Sequence, residues 1–207
     1  LVTPRNLSQG TLSKRPTLQL ESGAYVLDFE RDLFQELLTS AYNHVGAGGL
    51  SVFARVKLES LPGGGQTGTI AGNDDGTSSD RTFRLRITDA GAISFVCYSA
   101  TSGFMNPTTS SSTVTTATWY NICAVLNTTN ARVWVNTMTD AGVLATATNT
   151  DGTVKSSASA PVWVGSRKSP IADPFYFDGR MAMVVVGNWA MSETDRTNLA
   201  TFANGLI

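Results

Sequence analysis

The chain has 207 residues, of which 42% are hydrophobic, only 15% are charged and 47 are Ser or Thr. A net charge of −1 excludes a nucleic-acid binder that neutralises phosphates through a basic surface, and the apolar fraction excludes an intrinsically disordered chain. No apolar run approaches the roughly 20 residues that span a bilayer, so no membrane partner is expected. Two cysteines and one histidine are too few for a disulfide framework or a Cys/His zinc site.

The amino-terminal segment is polar and is punctuated by prolines and glycines. We expect an extended arm over residues 1–23, with at most one strand near Thr17–Leu20, followed by a single domain over residues 24–207. Such an arm becomes ordered only against a partner, so it is predicted to tether the chain to another subunit.

From residue 24 onward, short β-rich runs alternate with turn residues at the spacing of an antiparallel sandwich. The clearest is Arg81–Thr88, where apolar residues alternate with Arg84 and Arg86, which places both arginines on the polar face. An edge strand is also expected near Thr113–Thr116. Further strands are predicted at Ala24–Phe29, Leu50–Leu58, Gly68–Ala71, Ala92–Tyr98, Trp119–Leu126, Ala131–Asn136, Gly142–Thr148, Pro161–Gly165 and Arg180–Trp189.

The carboxyl-terminal segment has a helical pattern. Ser192 is a favourable N-cap and Asp195 stands three residues later, which is a weak form of the capping box. Leu199 and Phe202 follow at helical spacing, and Gly205 marks the end. One short helix therefore closes an otherwise all-β chain.

The order of these elements is similar to that of laminin G-like jelly rolls of the bacterial and phage type. The segment T-W-Y-N-I-C-A-V-L-N-T-T-N-A-R-V-W-V-N (residues 118–136) resembles their central hairpin. The tail V-W-V-G-S-R…F-Y-F-D-G-R-M-A-M-V-V-V-G-N-W-A-M-S-E-T-D-R-T-N-L (residues 162–199) is similar to the end of these domains, and residues 14–29 are similar to the entry segment of the bacterial and phage members. The resemblance covers residues 14–207 and implies a concanavalin A-like fold: two antiparallel sheets packed face to face, with a short C-terminal helix.

This fold hosts lectins, adhesion modules, glycoside hydrolases and viral structural proteins, so the site must be argued separately. Binding a glycan requires exposed aromatic rings, and Trp119 and Trp163 are expected in the core instead. Arg84 and Arg86 are candidates for contacting an acidic glycan or a neighbouring subunit, although such a pair is more often a solvated sheet face. The aromatic candidates for a sugar platform are Tyr98, Phe104, Trp134, Tyr176 and Trp189.

The resemblance also implies a calcium ion, which related modules hold at a sheet rim with oxygen ligands. The candidate ligands are Asn73, Asp74, Asp75 and Asp173, with Asp151 as a more distant choice. The same Asn-Asp-Asp-Gly run is also an ordinary turn sequence. No other cofactor is expected.

Catalysis has weak support. Glu30, Asp32 and Glu36 approximate the carboxylate spacing of glycoside hydrolases of this fold and would share one face of a continuous strand, but the segment follows the first strand and favours a surface turn. His44 is the sole candidate base for a triad, and no G-x-S-x-G elbow accompanies it. Cys97 and Cys123 are compatible with a disulfide or with two reduced core thiols.

The first hypothesis is therefore a non-enzymatic structural protein of a bacteriophage virion, decorating the capsid or associated with the tail. Its expected partners are other virion subunits bound through the arm, further copies of the chain, and host-surface glycans. No signal-peptide pattern is visible, which agrees with a virion location. The alternative is an extracellular or cell-surface carbohydrate-binding module of a bacterial surface protein or tail fibre, and a glycoside hydrolase is the remote third.

Overall fold

The computed structural model describes residues 7–41, 45, 48–73, 81–101, 103–155, 160–167 and 175–207, which form fourteen strands and one α-helix. The helix is α1 (Glu193–Asn204). In chain order, the strands are β1 (Leu7–Ser8), β2 (Thr17–Glu21), β3 (Ala24–Phe29), β4 (Leu37–Thr39), β5 (Leu50–Leu58), β6 (Thr67–Gly72), β7 (Phe83–Thr88), β8 (Ile93–Tyr98), β9 (Phe104–Met105), β10 (Trp119–Leu126), β11 (Asn130–Val135), β12 (Val143–Thr148), β13 (Trp163–Val164) and β14 (Gly179–Gly187).

The strands form two antiparallel sheets, which confirms the predicted jelly-roll sandwich. Sheet I has the order β1-β4-β13-β6-β7-β8-β9, and sheet II has the order β12-β11-β10-β5-β14-β3-β2. The main core lies between the sheets and is built from inward-facing apolar residues such as Leu85, Phe95 and Ile122, all of them completely buried. Alternation along each strand sends every second side chain into this core.

Strand β5 shows how alternation divides sheet II into two faces. Leu50, Val52 and Ala54 point into the main core, whereas Phe53 points to the outer face and packs in a second apolar cluster. That second cluster lies under α1. The sandwich therefore has three layers at one end of sheet II, and two layers elsewhere.

Residues 7–21 belong to the sandwich and do not form the predicted extended arm, although the one strand expected near Thr17–Leu20 is present as β2. Strand β1 pairs with β4 in sheet I, and β2 pairs with β3 in sheet II. Ser22 and Gly23 have φ values of 51° and 88°, as a two-residue turn of type I′ requires. A tight turn of this kind fixes β2 against β3, so no outside partner is needed to order it.

Strand β10 pairs with β11 as the resemblance implied, and β3, β5 and β10 have the predicted bounds. The edge strand expected near Thr113–Thr116 is absent among the described residues, where Thr116 forms a single bridge to Leu58. Cys97 and Cys123 are both free and buried, Cys97 in the main core and Cys123 in the second cluster under α1. In the described part of the chain, no helix combines the length and apolar character needed to cross a membrane.

Candidate functional site

Trp134 is part of the structural core, so its predicted role in a sugar platform is wrong. Its side chain is 1% exposed, and its indole N–H donates to the carbonyl of Thr139 at 2.9 Å. The guanidinium of Arg196, on α1, lies 4.0 Å from the centre of its ring. Because the helix covers the ring, no solvent-facing surface is left for a ligand.

Trp189, by contrast, is half-buried at the point where β14 ends and the chain turns towards α1. Its ring folds back on Gly187, where an added Cβ would lie 2.5 Å from a ring carbon, so only glycine permits this close approach. The buried hydroxyl of Ser51 donates to the carbonyl of Trp189 at 2.7 Å and accepts from the N–H of Met191 at 2.8 Å. The backbone beneath the ring is thus fixed to β5.

A groove of about 290 Å³, open to solvent, runs between Trp189 and the first turns of α1. Most of its wall is apolar, and a carboxylate and an amide stand at its helical side. The volume lies near the lower end of ligand pockets, which hold roughly 300–1,000 Å³. Its lining side chains are Val185, Trp189, Met191, Asp195, Asn198 and Leu199.

Asp195 is the charged group of this groove, and the helix cap fixes it in place. Its Oδ2 accepts from the backbone N–H of Ser192 at 2.9 Å and from the hydroxyl of Ser192 at 2.8 Å, which completes the predicted capping box. These bonds from Ser192, together with one from the Trp189 side chain, hold the pKa of Asp195 below its usual value of 3.8. The groove therefore presents an ionised acceptor and a positioned indole ring.

Tyr176 lies at the opposite end of β14 from Trp189 and cannot join it in one platform. Its ring meets Phe34 edge-on, with 5.2 Å between ring centres. Nine residues of β14 separate the two ends, which corresponds to about 30 Å. Tyr176 and Phe34 therefore form a separate aromatic pair at the far rim.

The two arginines predicted on a polar face do share the outer face of sheet I, but Arg84 is 6% exposed. Its guanidinium lies 5.3 Å from the ring centre of Phe175, and Arg167 approaches the same ring at 4.7 Å. Arg86 is partly exposed and donates from Nε to Ser94 at 3.0 Å. Arg84 is therefore packed within the protein, and only Arg86 retains the predicted accessible position.

Two further aromatic candidates lie at the β8–β9 edge of sheet I. Tyr98 is buried, whereas Phe104 is exposed, and their ring centres are 5.7 Å apart. Arg81 and Lys155 approach the Tyr98 ring at 4.6 and 5.7 Å. Tyr98 is therefore enclosed by cations and is not an open sugar platform.

Asn73 has a structural role that argues against the predicted calcium site. Its side-chain oxygen accepts from the N–H and hydroxyl of Thr82 at 2.8 and 2.7 Å, and from the N–H of Phe83 at 3.1 Å. Three donors leave no capacity on a carbonyl oxygen for a metal. The other candidates, Asp74, Asp75 and Asp173, lie outside the described residues, so calcium binding there stays a prediction.

Asp151 accepts hydrogen bonds from the hydroxyls of Ser99 and Thr101. The bond from Ser99 is the main reason why the pKa of Asp151 is lowered. This carboxylate therefore joins two loops of the protein.

Three acidic side chains that sequence reasoning did not group lie together at the rim beside Tyr176. Asp28, Glu30 and Glu59 place carboxylate oxygens within 4.8 Å of one another. Desolvation and the negative charges of Asp28 and Glu59 raise the pKa of Glu30. Arg180 lies 3.1 Å from Glu59 and 3.8 Å from Asp28, so a cation of the protein already balances part of this charge.

The hydrolase-like carboxylates do not share a strand. A short 3₁₀ helix at Arg31–Leu33 interrupts the chain between Glu30 and Glu36, so strict alternation does not apply. Glu36 instead accepts from Gln9 at 3.3 Å and from Ser166. This breaks the spacing that the catalytic hypothesis required, while His44 lies outside the described residues.

Trp119, expected in the core, lies half-buried on the outer face of sheet II. Its indole N–H donates to Glu21 at 3.2 Å, and Arg55 and Lys57 lie 5.5 and 5.4 Å from its ring centre. The strand register places Trp119 on the outer face, because it pairs with Lys57, whose side chain faces outward. The sequence alone does not contain this pairing. These residues form a polar network beside the end of α1, which Arg55 contacts through Asn204.

Comparison with solved structures supports the fold at low sequence identity. Domain 4 of a GH43 extracellular arabinanase from Geobacillus stearothermophilus, in complex with arabinotriose, has a TM-score of 0.63 and 16% identity over 95% of this chain and 88% of that domain. A heptameric SAP-like pentraxin from Limulus polyphemus has a TM-score of 0.59 and 13% identity over 92% of this chain and 84% of its own.

The binding domain of Paraclostridial Mosquitocidal Protein 1 has a TM-score of 0.67 and 10% identity over 95% of this chain, which spans 47% of that domain. The chain thus covers about half of this toxin domain and most of the other two structures.

No curated protein gives a significant match. A sequence model of the family described as the Concanavalin A-like lectin/glucanases superfamily matches residues 35–195. The match spans most of the chain and agrees with the two-sheet fold, and the chain therefore belongs to the concanavalin A-like lectin/glucanase superfamily, in its laminin G-like form.

Proposed function

We propose that this chain is a non-catalytic recognition module that binds a short neutral saccharide in the groove between Trp189 and α1. The observation that carries the proposal is the fixed Trp189 ring beside the ionised Asp195. A sugar presents an apolar C–H face and a polar rim of hydroxyls. The Trp189 ring and its apolar neighbours suit the C–H face. The Asp195 carboxylate and the Asn198 amide suit the hydroxyl rim.

The charge of the groove favours a neutral ligand. Asp195 is the one charged side chain among the described lining residues, and it is negative. A uronic or sialic acid would meet this carboxylate with no cation among the described lining residues. An ionised carboxylate accepts hydroxyl hydrogen bonds that are stronger than neutral ones. The volume favours one or two sugar units over a long chain.

The same groove argues against hydrolysis. Cleavage of a glycosidic bond needs two carboxyl groups across the bond, roughly 5–9.5 Å apart. The described lining contains only one, and the hydrogen bonds from Ser192 hold it in the ionised form, which cannot act as an acid. The arabinanase domain and the toxin binding domain are similar in fold, which supports a binding role as an analogy.

The test is a glycan array followed by calorimetric titration of the best neutral oligosaccharide and of arabinotriose. Trp189→Ala is expected to lower affinity at least about tenfold, which is a loss of about 1.4 kcal/mol. Gly187→Ala is expected to weaken binding as well, because the new methyl group displaces the ring. The matched control is Trp119→Ala, another half-buried tryptophan on the outer face of sheet II, which should bind normally. Equal loss in all three variants, or no binding across the array, would contradict the proposal.

A second candidate is a structural subunit of a bacteriophage virion. Exposed apolar side chains near the amino terminus favour it: seven of the ten large exposed hydrophobics among the described residues lie between Leu7 and Phe34. Of these, Leu18, Leu20 and Tyr25 share one side of sheet II, and a contiguous exposed apolar surface marks an interaction site on many proteins. Mass spectrometry of purified particles should then find this chain in fixed ratio. A variant with Leu18→Ser and Leu20→Ser, which keeps the β2 backbone, should fold but fail to enter the particle; unchanged incorporation would rule out this role for the surface.

A further inference from the structure

Strand β2 is the edge strand of sheet II, and no described strand lies on its outer side. Among the described residues, no backbone group outside β3 hydrogen-bonds to Thr17–Glu21. Proteins usually protect such an edge with a bulge, an inward charge or a proline inside the strand. The register of β2 with β3 is unbroken over five residues, and the strand interior holds none of these features.

The apolar side of this edge is also uncovered. Leu18, Leu20 and Tyr25 share the core-facing side of sheet II, because Leu20 pairs with Tyr25 and Leu18 pairs with Leu27, which packs against the main core. Yet they are 61%, 66% and 70% exposed. The core face of sheet II therefore extends beyond the part that sheet I covers.

We propose that β2 pairs antiparallel with β2 of a second copy, joining two seven-stranded sheets across a two-fold axis at Gln19. The inference does not rest on saccharide binding. The type I′ turn closes with a hydrogen bond from Ala24 to Glu21, so Glu21, Gln19 and Thr17 direct their backbone groups towards β3. Leu18 and Leu20 then direct theirs to the free edge.

This direction selects the register. Pairing Leu18 with Leu20 of the second copy, in both directions, satisfies every outward N–H and carbonyl of the two residues. Centring the axis on Leu18 instead would place Pro16, which has no N–H, opposite Leu20. Centring it on Leu20 would pair Leu18 with the turn residue Ser22. The Gln19 register is the one that uses both leucines of each strand.

Side chains agree with this arrangement. A two-fold axis perpendicular to the sheet keeps the core-facing sides together, so the leucines of both copies form one apolar cluster with the Tyr25 rings. The Glu21 carboxylate at the end of each strand is paired with Lys57 and Arg180 of its own copy, so it adds no charge repulsion across the axis.

The interface is short compared with stable interfaces of about 1,200–2,000 Å², so we expect a concentration-dependent dimer. Sedimentation velocity over a concentration series should show the mass doubling at high concentration. The two Gln19 side chains face each other across the axis, so Gln19→Lys and Gln19→Glu should each weaken the dimer about two- to fivefold by like-charge repulsion, and mixing the two variants should restore it. Thr146→Lys on β12, the other edge strand of sheet II, is the matched control and should dimerise normally.

A covalent test avoids dependence on the strength of the interface. The two Gln19 residues form a non-hydrogen-bonded antiparallel pair, whose Cα atoms lie about 4.5 Å apart, within disulfide range. Gln19→Cys should therefore form a covalent dimer on mild oxidation, while Thr146→Cys should not. The native thiols are buried and do not interfere. A monomer at every concentration with no Gln19→Cys dimer would overturn the proposal. Dimerisation that is unchanged in Gln19→Lys and in Gln19→Glu would overturn the proposed register at Gln19.

Discussion

The outer face of sheet II has two halves that follow the same alternation but differ in what covers them. In the covered half, Phe53, Cys123 and Trp134 lie side by side beneath α1. In the open half, Lys57 and Trp119 lie on the same side of the same sheet, beyond the part that α1 covers. Trp134 is thus a core residue, whereas Trp119 is the centre of a polar network.

This difference shows that strand alternation determines which face of sheet II a side chain occupies, whereas the C-terminal helix determines whether that face is buried. The seam between the halves is polar: Arg55 donates to Asn121 at 3.1 Å and to Asn204, at the end of α1, at 2.8 Å. The groove at Trp189 lies at the other margin of the helix, where cover is partial. Ligand binding is therefore expected at the margin of α1, where the third layer begins. The part of sheet II that α1 covers completely is expected to contribute mainly to stability.

The largest expected effect separates the two tryptophans. Trp134→Ala removes a fully buried ring and should lower the free energy of unfolding by about 3–5 kcal/mol. Trp119→Ala removes a half-buried ring and its cation–π contacts, and should lower it by about 1 kcal/mol. Denaturant unfolding of both variants measures the difference. Equal losses would mean that α1 does not create an interior.

Arg196 attaches the helix to the covered half, and its replacement should have the next largest effect. Its buried guanidinium donates to the carbonyls of Met138 and Met191 at 3.0 and 3.1 Å and to Asp140 at 2.6 Å. Arg196→Ala leaves these carbonyls without donors and should cost about 2–3 kcal/mol. Asp140→Asn is the control, because the Asp140 side chain is 65% exposed and a surface pair contributes less than about 1 kcal/mol. A larger loss in the control would show that the ion pair dominates.

Loss of the helix cap should cost less. Ser192→Ala removes the acceptor for the N–H of Asp195 and should lower stability by about 1 kcal/mol. Because the native pKa of Asp195 lies below its usual value of 3.8, its stabilisation is complete above that value and is lost as the pH falls through the native pKa. Unfolding at decreasing pH should therefore show a smaller acid-induced loss in Asp195→Asn than in the wild type. Identical pH profiles would contradict the assigned cap.

The smallest effect concerns the thiols, one in each core. Burial raises the pKa of Cys97 strongly and that of Cys123 to about 12, so both remain protonated thiols at neutral pH. We expect the melting temperature to be the same with and without a reductant, and a thiol reagent to react only after unfolding. Fast reaction of one thiol in the native protein would show that its core opens locally.

Much of the sandwich followed from the sequence, because alternation and turn residues are local signals. The strands at Ala24–Phe29, Leu50–Leu58 and Trp119–Leu126 have the predicted bounds, and the helix cap at Ser192 is confirmed. Short pairings such as β1 with β4 were missed, since two or three residues carry no readable period. These pairings depend on contacts far along the chain.

The site was less predictable. Trp189 was among the aromatic candidates, but nothing local distinguished it from Trp134, which the distant helix covers. Trp119 and Trp134 have the opposite exposures to those predicted, because exposure on this face depends on the third layer. The sequence predicts only a capping role for Asp195, and its place at the groove follows from the turn between β14 and α1.

The central claim is that a saccharide binds at Trp189 and nowhere else on the outer face of sheet II. The most direct measurement follows the indole N–H signals of the four tryptophans in a ¹H–¹⁵N spectrum during titration with arabinotriose and with the best neutral oligosaccharide from the array. The account predicts a saturable shift of the Trp189 signal, with the Trp134 and Trp119 signals unchanged. A shift centred on Trp119, or no shift of Trp189 with any saccharide that binds, would contradict it.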